Sequence, residues 1–227
     1  MGAGRYGGPS FWSISGNIYM ADVTKMSFQA WLNFTFDNPI VDPPQFHLGT
    51  LVGDPEILIN YCTRLFADPV RLTQSYTHQQ CEQSWWLIPG VDGYLGALGV
   101  KSIPFQTKRS CIQSFYVLFD KLFSHDPMGS SCFMWWERLL EGDWEGNGEF
   151  VRDDLQVCSE IVNGLQNILK LESEECRKSA LHGLAEFADY VDPKCVSEII
   201  DNFLVDARDV SLELQEYAKR VLMGDVL

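Results

Sequence analysis

The sequence predicts an all-α fold built from repeated helix pairs, on three observations. Apolar residues recur at intervals of three and four through most of the chain, which is the spacing of one buried helix face. The segments 159–184 and 197–222 match at several positions when they are offset by 38 residues. Helix-start signals precede several apolar stretches, for example Ser173 as N-cap before Glu174 and Glu175.

The first 53 residues are predicted to hold a lead-in, one long helix and a loop. Residues 1–18 are glycine-rich and lack the apolar core of a signal peptide, so we expect a flexible lead-in. Bulky apolar residues predict a helix over 19–36, and prolines and glycines predict a loop over 37–53.

Helix pairs are expected along the rest of the chain. Asp54 and Pro55 open the first pair as N-cap and first-turn proline, and its second helix is expected as one continuous element over about 72–88. Glycine-rich stretches at 89–102 and 142–148 are expected to be loops. The four pairs cover approximately 54–88, 104–140, 151–187 and 192–223.

The pairs share a recurring position, which supports a common unit. A cysteine precedes Trp85, Trp136 and Ala180 by four residues in three successive pairs. The cysteine positions step by 51 and then 44 residues, and the matching position in the last pair follows after 38. Periods of this size are typical of repeats that cannot bury their apolar faces alone and therefore stack.

At the level of helix pattern and period, residues 54–223 resemble HEAT- and armadillo-like repeat proteins. The resemblance implies an α-solenoid of about four antiparallel helix pairs preceded by one N-terminal helix. It implies a single helical-repeat domain over 19–227, with an alternative sub-boundary at 142–149. Members of this class are commonly binding scaffolds, and a minority have enzymatic or nucleic-acid roles.

Composition and charge restrict the classes of partner. Hydrophobic residues make up 46% of the chain and charged residues 21%, an ordinary globular balance. The net charge is −14, and residues 137–227, with 21 acidic and 9 basic side chains, carry −12 of it. This half should repel nucleic acid and anionic membranes and attract a basic protein. The cations Lys101, Lys108 and Arg109 are too few for a nucleic-acid groove.

The cysteines and the missing signals favour a cytoplasmic chain without cofactors. The seven cysteines are widely spaced and form no C-x-x-C pair, so we expect buried thiols rather than a disulfide framework or a zinc site. No apolar run approaches the length of a membrane-spanning helix. The sequence contains no phosphate-binding loop, dinucleotide fingerprint or metalloprotease motif.

Two groups of residues carry donor atoms at helical spacing. His78, Cys81 and Glu82 place three ligand types on adjacent turns, but Cys81 also belongs to an apolar stripe and no fourth ligand is evident. His182 and Glu186 share a helix face at i and i+4, which suits either an acid–base pair or an ordinary surface hydrogen bond. The sequence thus predicts no metal site, and it singles out no catalytic residue among the seven cysteines and four histidines.

Tryptophan doublets supply the candidate binding residues. Trp86 and Trp135 belong to the doublets 85–86 and 135–136, and adjacent helical residues point about 100° apart. One member of each doublet is therefore expected in the core, and the other, Trp86 or Trp135, is expected to face a groove. The alternative is that neighbouring helices bury both members. Acidic residues border this region and would form a carboxylate rim around it: Glu137, Glu141 and Glu145.

Two hypotheses of function follow. The first is a non-enzymatic protein-binding module for a basic protein partner, acting as an adaptor or as an inhibitor of a basic toxin or nuclease. The alternative is an enzyme or nucleic-acid-processing protein on a helical-repeat scaffold, for which a cluster of Lys and Arg on one face would be the sign.

Overall fold

The helices follow the predicted apolar stripes closely in the computed structural model, which describes residues 20–40, 50–90, 94–205 and 210–225. The chain is predominantly helical there, and the predicted lead-in at 1–18 lies outside the described residues. The helices are α1 (Phe28–Phe36), α2 (Pro55–Ala67), α3 (Pro69–Thr73), α4 (His78–Leu87), α5 (Phe105–Leu118), α6 (Ser131–Glu141), α7 (Leu155–Ile168), α8 (Glu174–Phe187), α9 (Pro193–Val205) and α10 (Leu212–Met223).

Capping explains where most of these helices begin. The side chain of Asp54 accepts a hydrogen bond from the amide of Glu56 at 2.9 Å, and Ser173 accepts one from Cys176 at 3.3 Å. Both caps were predicted from the sequence, and each satisfies a backbone donor that has no partner inside its helix. Asp154 and Ser211 cap α7 and α10 in the same way.

The predicted helix over 19–36 is wrong in its first half. Met20–Asp22 forms β1, which pairs in parallel with β2 (Thr50–Val52), and a 3-10 turn at Val23–Lys25 follows. The helix itself begins only after Ser27, whose hydroxyl accepts from the amide of Ala30 at 3.2 Å. The two strands are distant in sequence, so local periodicity could not reveal their pairing.

The prediction of one continuous helix over 72–88 is also wrong, because α3 ends at Thr73 and a separate helix, α4, begins at His78. Thr77 forms a capping box with Gln80: its hydroxyl accepts from the Gln80 amide at 3.2 Å, and its amide donates to Gln80 Oε1 at 2.9 Å. This reciprocal pair starts a new helix at His78. The T-x-x-Q spacing was the available signal.

Most helices at equivalent places in successive predicted pairs contact each other, but α9 packs on α10 and α8 rather than on α7. The first helices form one row, in which α2 packs on α5 and α5 packs on α7. The second helices form another row, in which α4, α6, α8 and α10 pack in that order, and α1 packs on α4. The buried apolar residues form one core cluster that runs through both rows. No helix in the described part of the chain is both long and apolar enough to cross a membrane.

The stretches expected to be loops at 89–102 and 142–148 pack against each other. Tyr94–Gly99 forms a buried 3-10 helix, and a Cβ at Gly96 would lie only 2.8 Å from the amide nitrogen of Asp143. A Cβ at Gly99 would lie 2.3 Å from the carbonyl oxygen of Glu149. These glycines therefore permit a backbone-to-backbone contact between the two segments that any side chain would prevent.

Candidate functional site

The candidate site lies between α6 and α8, which pack against each other in the second row of helices. Gly183 on α8 lets the two helices come together, since a Cβ there would sit 2.7 Å from the indole ring of Trp136. The indole N–H of Trp136 donates to Ser179 Oγ at 2.9 Å, inside the core. These contacts fix the register of α6 against α8. They therefore determine which polar residues of the two helices meet at the edge of this contact.

His182 meets two glutamates at this junction. Its Nε2 lies 3.9 Å from Glu137 Oε2 on α6 and 3.8 Å from Glu186 Oε1 on α8. One donor atom from each of the three residues falls within 4.8 Å of the others. The His182 side chain is 7% exposed, Glu186 is 16% exposed and Glu137 is 41% exposed, so the group opens to solvent on the α6 side.

The imidazole of His182 is held in place but is not hydrogen-bonded. The ring of Phe133 stacks on it, with centroids 4.4 Å apart and planes 11° from parallel. Neither Nδ1 nor Nε2 has a hydrogen-bond partner among the described residues. Buried polar groups without partners are uncommon in folded proteins, so this ring requires an explanation.

Burial and charge act in opposite directions on the members of this group. Burial lowers the pKa of His182, which favours the neutral imidazole. Burial raises the pKa of Glu186, and the nearby negative charges of Glu137 and Glu141 raise it further. The junction therefore combines a neutral nitrogen donor with carboxylates that repel each other, an arrangement that an added cation would stabilise.

The predicted tryptophans do not form an exposed aromatic patch. Trp135 is completely buried, with its ring against Phe66, Phe115 and Phe119 among others, so it is a core residue in this structure and offers no surface to a partner. Trp86 is half-buried, and the Arg138 guanidinium lies over its ring at 4.3 Å. Helices covered on several sides thus bury most of both doublets.

The predicted acidic rim is divided between two places. Glu137 lies on α6 at 3.9 Å from His182, and its charge and that of Glu141, also on α6, raise the pKa of Glu186. Glu145 instead accepts a hydrogen bond from the amide of Gly53 at 2.9 Å and so ties the turn after α6 to the end of β2.

The other group of donor residues, His78, Cys81 and Glu82, does not converge on one point, because α4 directs Cys81 into the core. His78 Nε2 lies 2.8 Å from Asp126 Oδ2, and Glu82 lies 4.0 Å from His78 Nδ1. Cys81 is buried, and its thiol contacts the carbonyl oxygen of Thr73 at 3.8 Å. The group accordingly reduces to an exposed histidine between two carboxylates.

The three candidate cations for a basic groove are each paired with an acid. Lys101 lies 3.8 Å from Glu149, Lys108 lies 2.9 Å from Asp154, and Arg109 lies 3.2 Å from Glu160. Lys108 is also buried, at 2% exposed. Each of these three positive charges thus lies beside a carboxylate, so the three residues do not form a basic groove.

Sequence reasoning found the parts of the α6–α8 site but not their assembly. The spacing of His182 and Glu186 predicted a shared helix face, and Glu137 stood out as acidic. The sequence pattern gave no sign of Phe133. A surface hydrogen bond was one expectation for His182, which is buried in the structure. The meeting of α6 with α8 depends on close packing at Gly183, which no local pattern reveals.

Compared with known proteins, the chain matches no protein-family model, and no curated protein or solved structure matches it at a significant level. Fold and site alone therefore define its class: a predominantly helical protein in which a buried histidine faces two carboxylates between stacked helices.

Proposed function

We propose that this chain is a cytoplasmic, non-enzymatic helical-repeat protein that binds a basic protein partner, as an adaptor or an inhibitor. The proposed architecture is a HEAT-like α-solenoid of about four antiparallel helix pairs preceded by one N-terminal helix. Contacts between equivalent helices of successive pairs support it, because repeat proteins bury their faces in this way. The cysteines are free thiols, six of them buried, which suits a reducing compartment.

One observation carries the proposal: the negative charge of residues 137–227 is not neutralised by that segment's own cations. Within the described residues, Lys178 is its single Lys or Arg with a carboxylate in ion-pair range, at 4.0 Å from Glu213. Arg138 and Arg152 instead lie over the rings of Trp86 and Phe150, at 4.3 Å and 4.0 Å.

These arginines also donate hydrogen bonds to backbone carbonyl oxygens. Arg138 donates to Trp86 at 3.0 Å and Arg152 donates to Leu140 at 3.1 Å. Their side chains are therefore committed to packing. Other carboxylates of this segment, such as Glu172, Glu198, Asp201 and Glu216, are exposed. Exposed carboxylates without internal partners attract basic surfaces and accelerate association with them.

The experiment compares the chain with a variant that has lost four of these charges. Glu172, Glu198, Asp201 and Glu216 are exposed, and each would be replaced by its amide. The immobilised chain would be incubated with lysate, eluted with rising salt, and the retained proteins identified by mass spectrometry. We expect basic proteins to be retained by the original chain, released by salt and lost from the amide variant, since salt screens exposed charges.

A charge-conserving variant provides the matched control. It would exchange Glu for Asp, or Asp for Glu, at the same four positions, and it should retain the same partner. Equal retention by the amide variant would contradict an electrostatic interface in this half. Retention of nucleic acid in place of protein would favour the alternative function.

A further inference from the structure

The strongest unexplained feature of the molecule is the His182 ring. It is buried, lies against Phe133, and has two nitrogens that lack hydrogen-bond partners among the described residues. The two nearest carboxylates approach Nε2 to 3.8 Å and 3.9 Å, which is too far for a hydrogen bond. Nε2 thus faces two carboxylate oxygens across gaps that are slightly wider than the separation of two ligands on one metal ion.

We propose that Glu137, His182 and Glu186 bind a divalent transition-metal ion, with Zn²⁺ as the best match. Zinc binds imidazole nitrogen and carboxylate oxygen at about 2.0–2.2 Å, so neighbouring donors around a tetrahedral ion lie about 3.4 Å apart. The separations of 3.8 Å and 3.9 Å from Nε2 are slightly larger than this. Oxygens of Glu137 and Glu186 lie within 4.8 Å of each other and of the ring nitrogen. Movements of roughly an ångström in the two carboxylates would therefore bring the three donors to bonding distance.

The donor set selects the class of metal. Imidazole nitrogen suits zinc, copper, iron and nickel, whereas magnesium and calcium prefer sites made of oxygen alone. The site needs a neutral imidazole, and burial of His182 favours that form. Three protein ligands leave a coordination position for water on the side where Glu137 is exposed.

The surrounding packing holds the donors before any metal binds. Phe133 fixes the plane of the imidazole, and Gly183 with Trp136 fixes α6 against α8. Glu141 adds negative charge beside Glu186. The other ring nitrogen, Nδ1, has no hydrogen-bond partner, and partners of that kind commonly strengthen metal binding 10- to 100-fold. We therefore expect weaker binding than at a site whose histidine has such a partner.

This site goes beyond the proposed function and does not depend on it. The carboxylates tested for partner binding lie at 172, 198, 201 and 216, away from the three ligands in sequence. Loss of metal binding with partner binding intact, or the reverse, would separate the two proposals.

The first test is calorimetric titration of Zn²⁺ into the full chain after removal of metals with a chelator. We expect one zinc per chain. The variants Glu137→Gln and Glu186→Gln keep the shape of each side chain and remove its charge, and each should weaken binding by about tenfold or more. Glu198→Gln, on the exposed face of α9, is the matched control and should leave the affinity unchanged.

Two further controls separate this site from other donors. His78→Ala removes the histidine that lies beside Asp126 and Glu82 and should leave binding unchanged. Co²⁺ in place of Zn²⁺ should give visible absorption bands without the strong near-ultraviolet absorption of a cobalt–thiolate bond. Loss of binding in His78→Ala, or a thiolate signal, would overturn the proposal.

A spectroscopic measurement covers the case in which a glutamine variant does not fold. The ring ¹⁵N resonances of the four histidines would be followed by NMR in the unchanged chain as Zn²⁺ is added. The His182 Nε2 resonance should shift at one equivalent, and the other histidines should not. No shift at His182, or no calorimetric binding up to about 0.1 mM zinc, would overturn the proposal.

Discussion

Two junctions between packed helices place a buried basic side chain beside a carboxylate, but only one of the two forms a hydrogen bond. Between α5 and α7, Lys108 reaches Asp154 at 2.9 Å with a hydrogen bond, and the Lys108 side chain is 2% exposed. Between α6 and α8, His182 faces Glu137 and Glu186 at 3.9 Å and 3.8 Å without one.

The Lys108 junction is complete in itself. Asp154 also accepts from the backbone amides of Gln156 and Val157, at 3.1 Å and 3.2 Å, so it caps α7 as well. Burial alone would raise the pKa of Asp154, but the hydrogen bonds from Lys108 and Val157 bring it below its usual value. Each charge there has a partner of opposite sign.

The His182 junction has two acids and a neutral ring, so its charges do not cancel. A buried ionisable group is therefore structural where its partners satisfy it and is a candidate ligand site where they do not.

Replacing Lys108 with Met should destabilise the fold most. The substitution leaves the partly buried Asp154 without its counter-charge, and breaking a buried ion pair by removing one partner costs about 3 kcal/mol or more. The free energy of unfolding would be measured in urea. The double variant Lys108→Met with Asp154→Asn should recover most of the loss, because Asn removes the charge and can still cap α7.

If Lys108→Met lowers the free energy of unfolding by less than about 1 kcal/mol, the Lys108–Asp154 pair does not behave as a buried ion pair. A double variant as unstable as the single one would lead to the same conclusion, since the cost would then come from packing of the lysine stem rather than from the uncompensated charge.

Gly183→Ala should destabilise the fold by about 1–3 kcal/mol, the usual cost of overpacking a close contact. The added methyl group would meet the ring of Trp136 and push α8 away from α6. The same variant should bind zinc more weakly, because Glu137 and His182 stand on the two separated helices. Urea unfolding and zinc calorimetry would test the two effects, with Gly164→Ala on α7, where a Cβ meets nothing within 4 Å, as control.

Glu186→Gln should stabilise the metal-free protein above the carboxylate pKa, by less than about 1 kcal/mol. The folded pKa of Glu186 is raised from 4.5, so the folded state binds its proton more tightly than the unfolded state does. The stability of the unchanged chain therefore falls as pH rises from 4.5 through the raised pKa, and the glutamine variant lacks this loss.

Urea unfolding in the presence of a chelator, between about pH 4 and pH 8, would measure that difference. It should grow with pH and nearly vanish at the acidic end. A glutamine variant that is less stable than the unchanged chain at the alkaline end would show that the Glu186 charge is already compensated.

Lys101→Ala should have the smallest effect, at about 0.5 kcal/mol or less. Its side chain is 78% exposed and lies 3.8 Å from Glu149, so water and salt screen the pair. A loss in urea unfolding comparable with that of Lys108→Met would mean that burial does not set the strength of these ion pairs.

Local signals in the sequence predicted the helices well where caps and apolar stripes agree. Asp54, Ser173 and the stripe of α7 placed their helices correctly. Local spacing does not predict the strand at Met20–Asp22, because its partner lies about 30 residues away. The Thr77–Gln80 capping box signals the break before α4, but the apolar stripe around it favours one continuous helix.

The candidate site was predicted only in part, for a reason of packing. His182 and Glu186 lie on one helix, and helical spacing reveals such a pair. Glu137 joins them through the contact of Gly183 with Trp136, which depends on the register of two helices distant in sequence. Trp135 was expected to be a surface candidate because a doublet spans two directions, but here α6 is covered on both sides.

Anomalous diffraction from crystals grown with Zn²⁺ tests the central contrast most directly. Data at the zinc absorption edge should give one peak between α6 and α8, about 2.0–2.2 Å from His182 Nε2 and from an oxygen of Glu137 and of Glu186. No peak is expected at the Lys108–Asp154 pair. A strongest peak beside His78, or no peak between α6 and α8, would contradict the account.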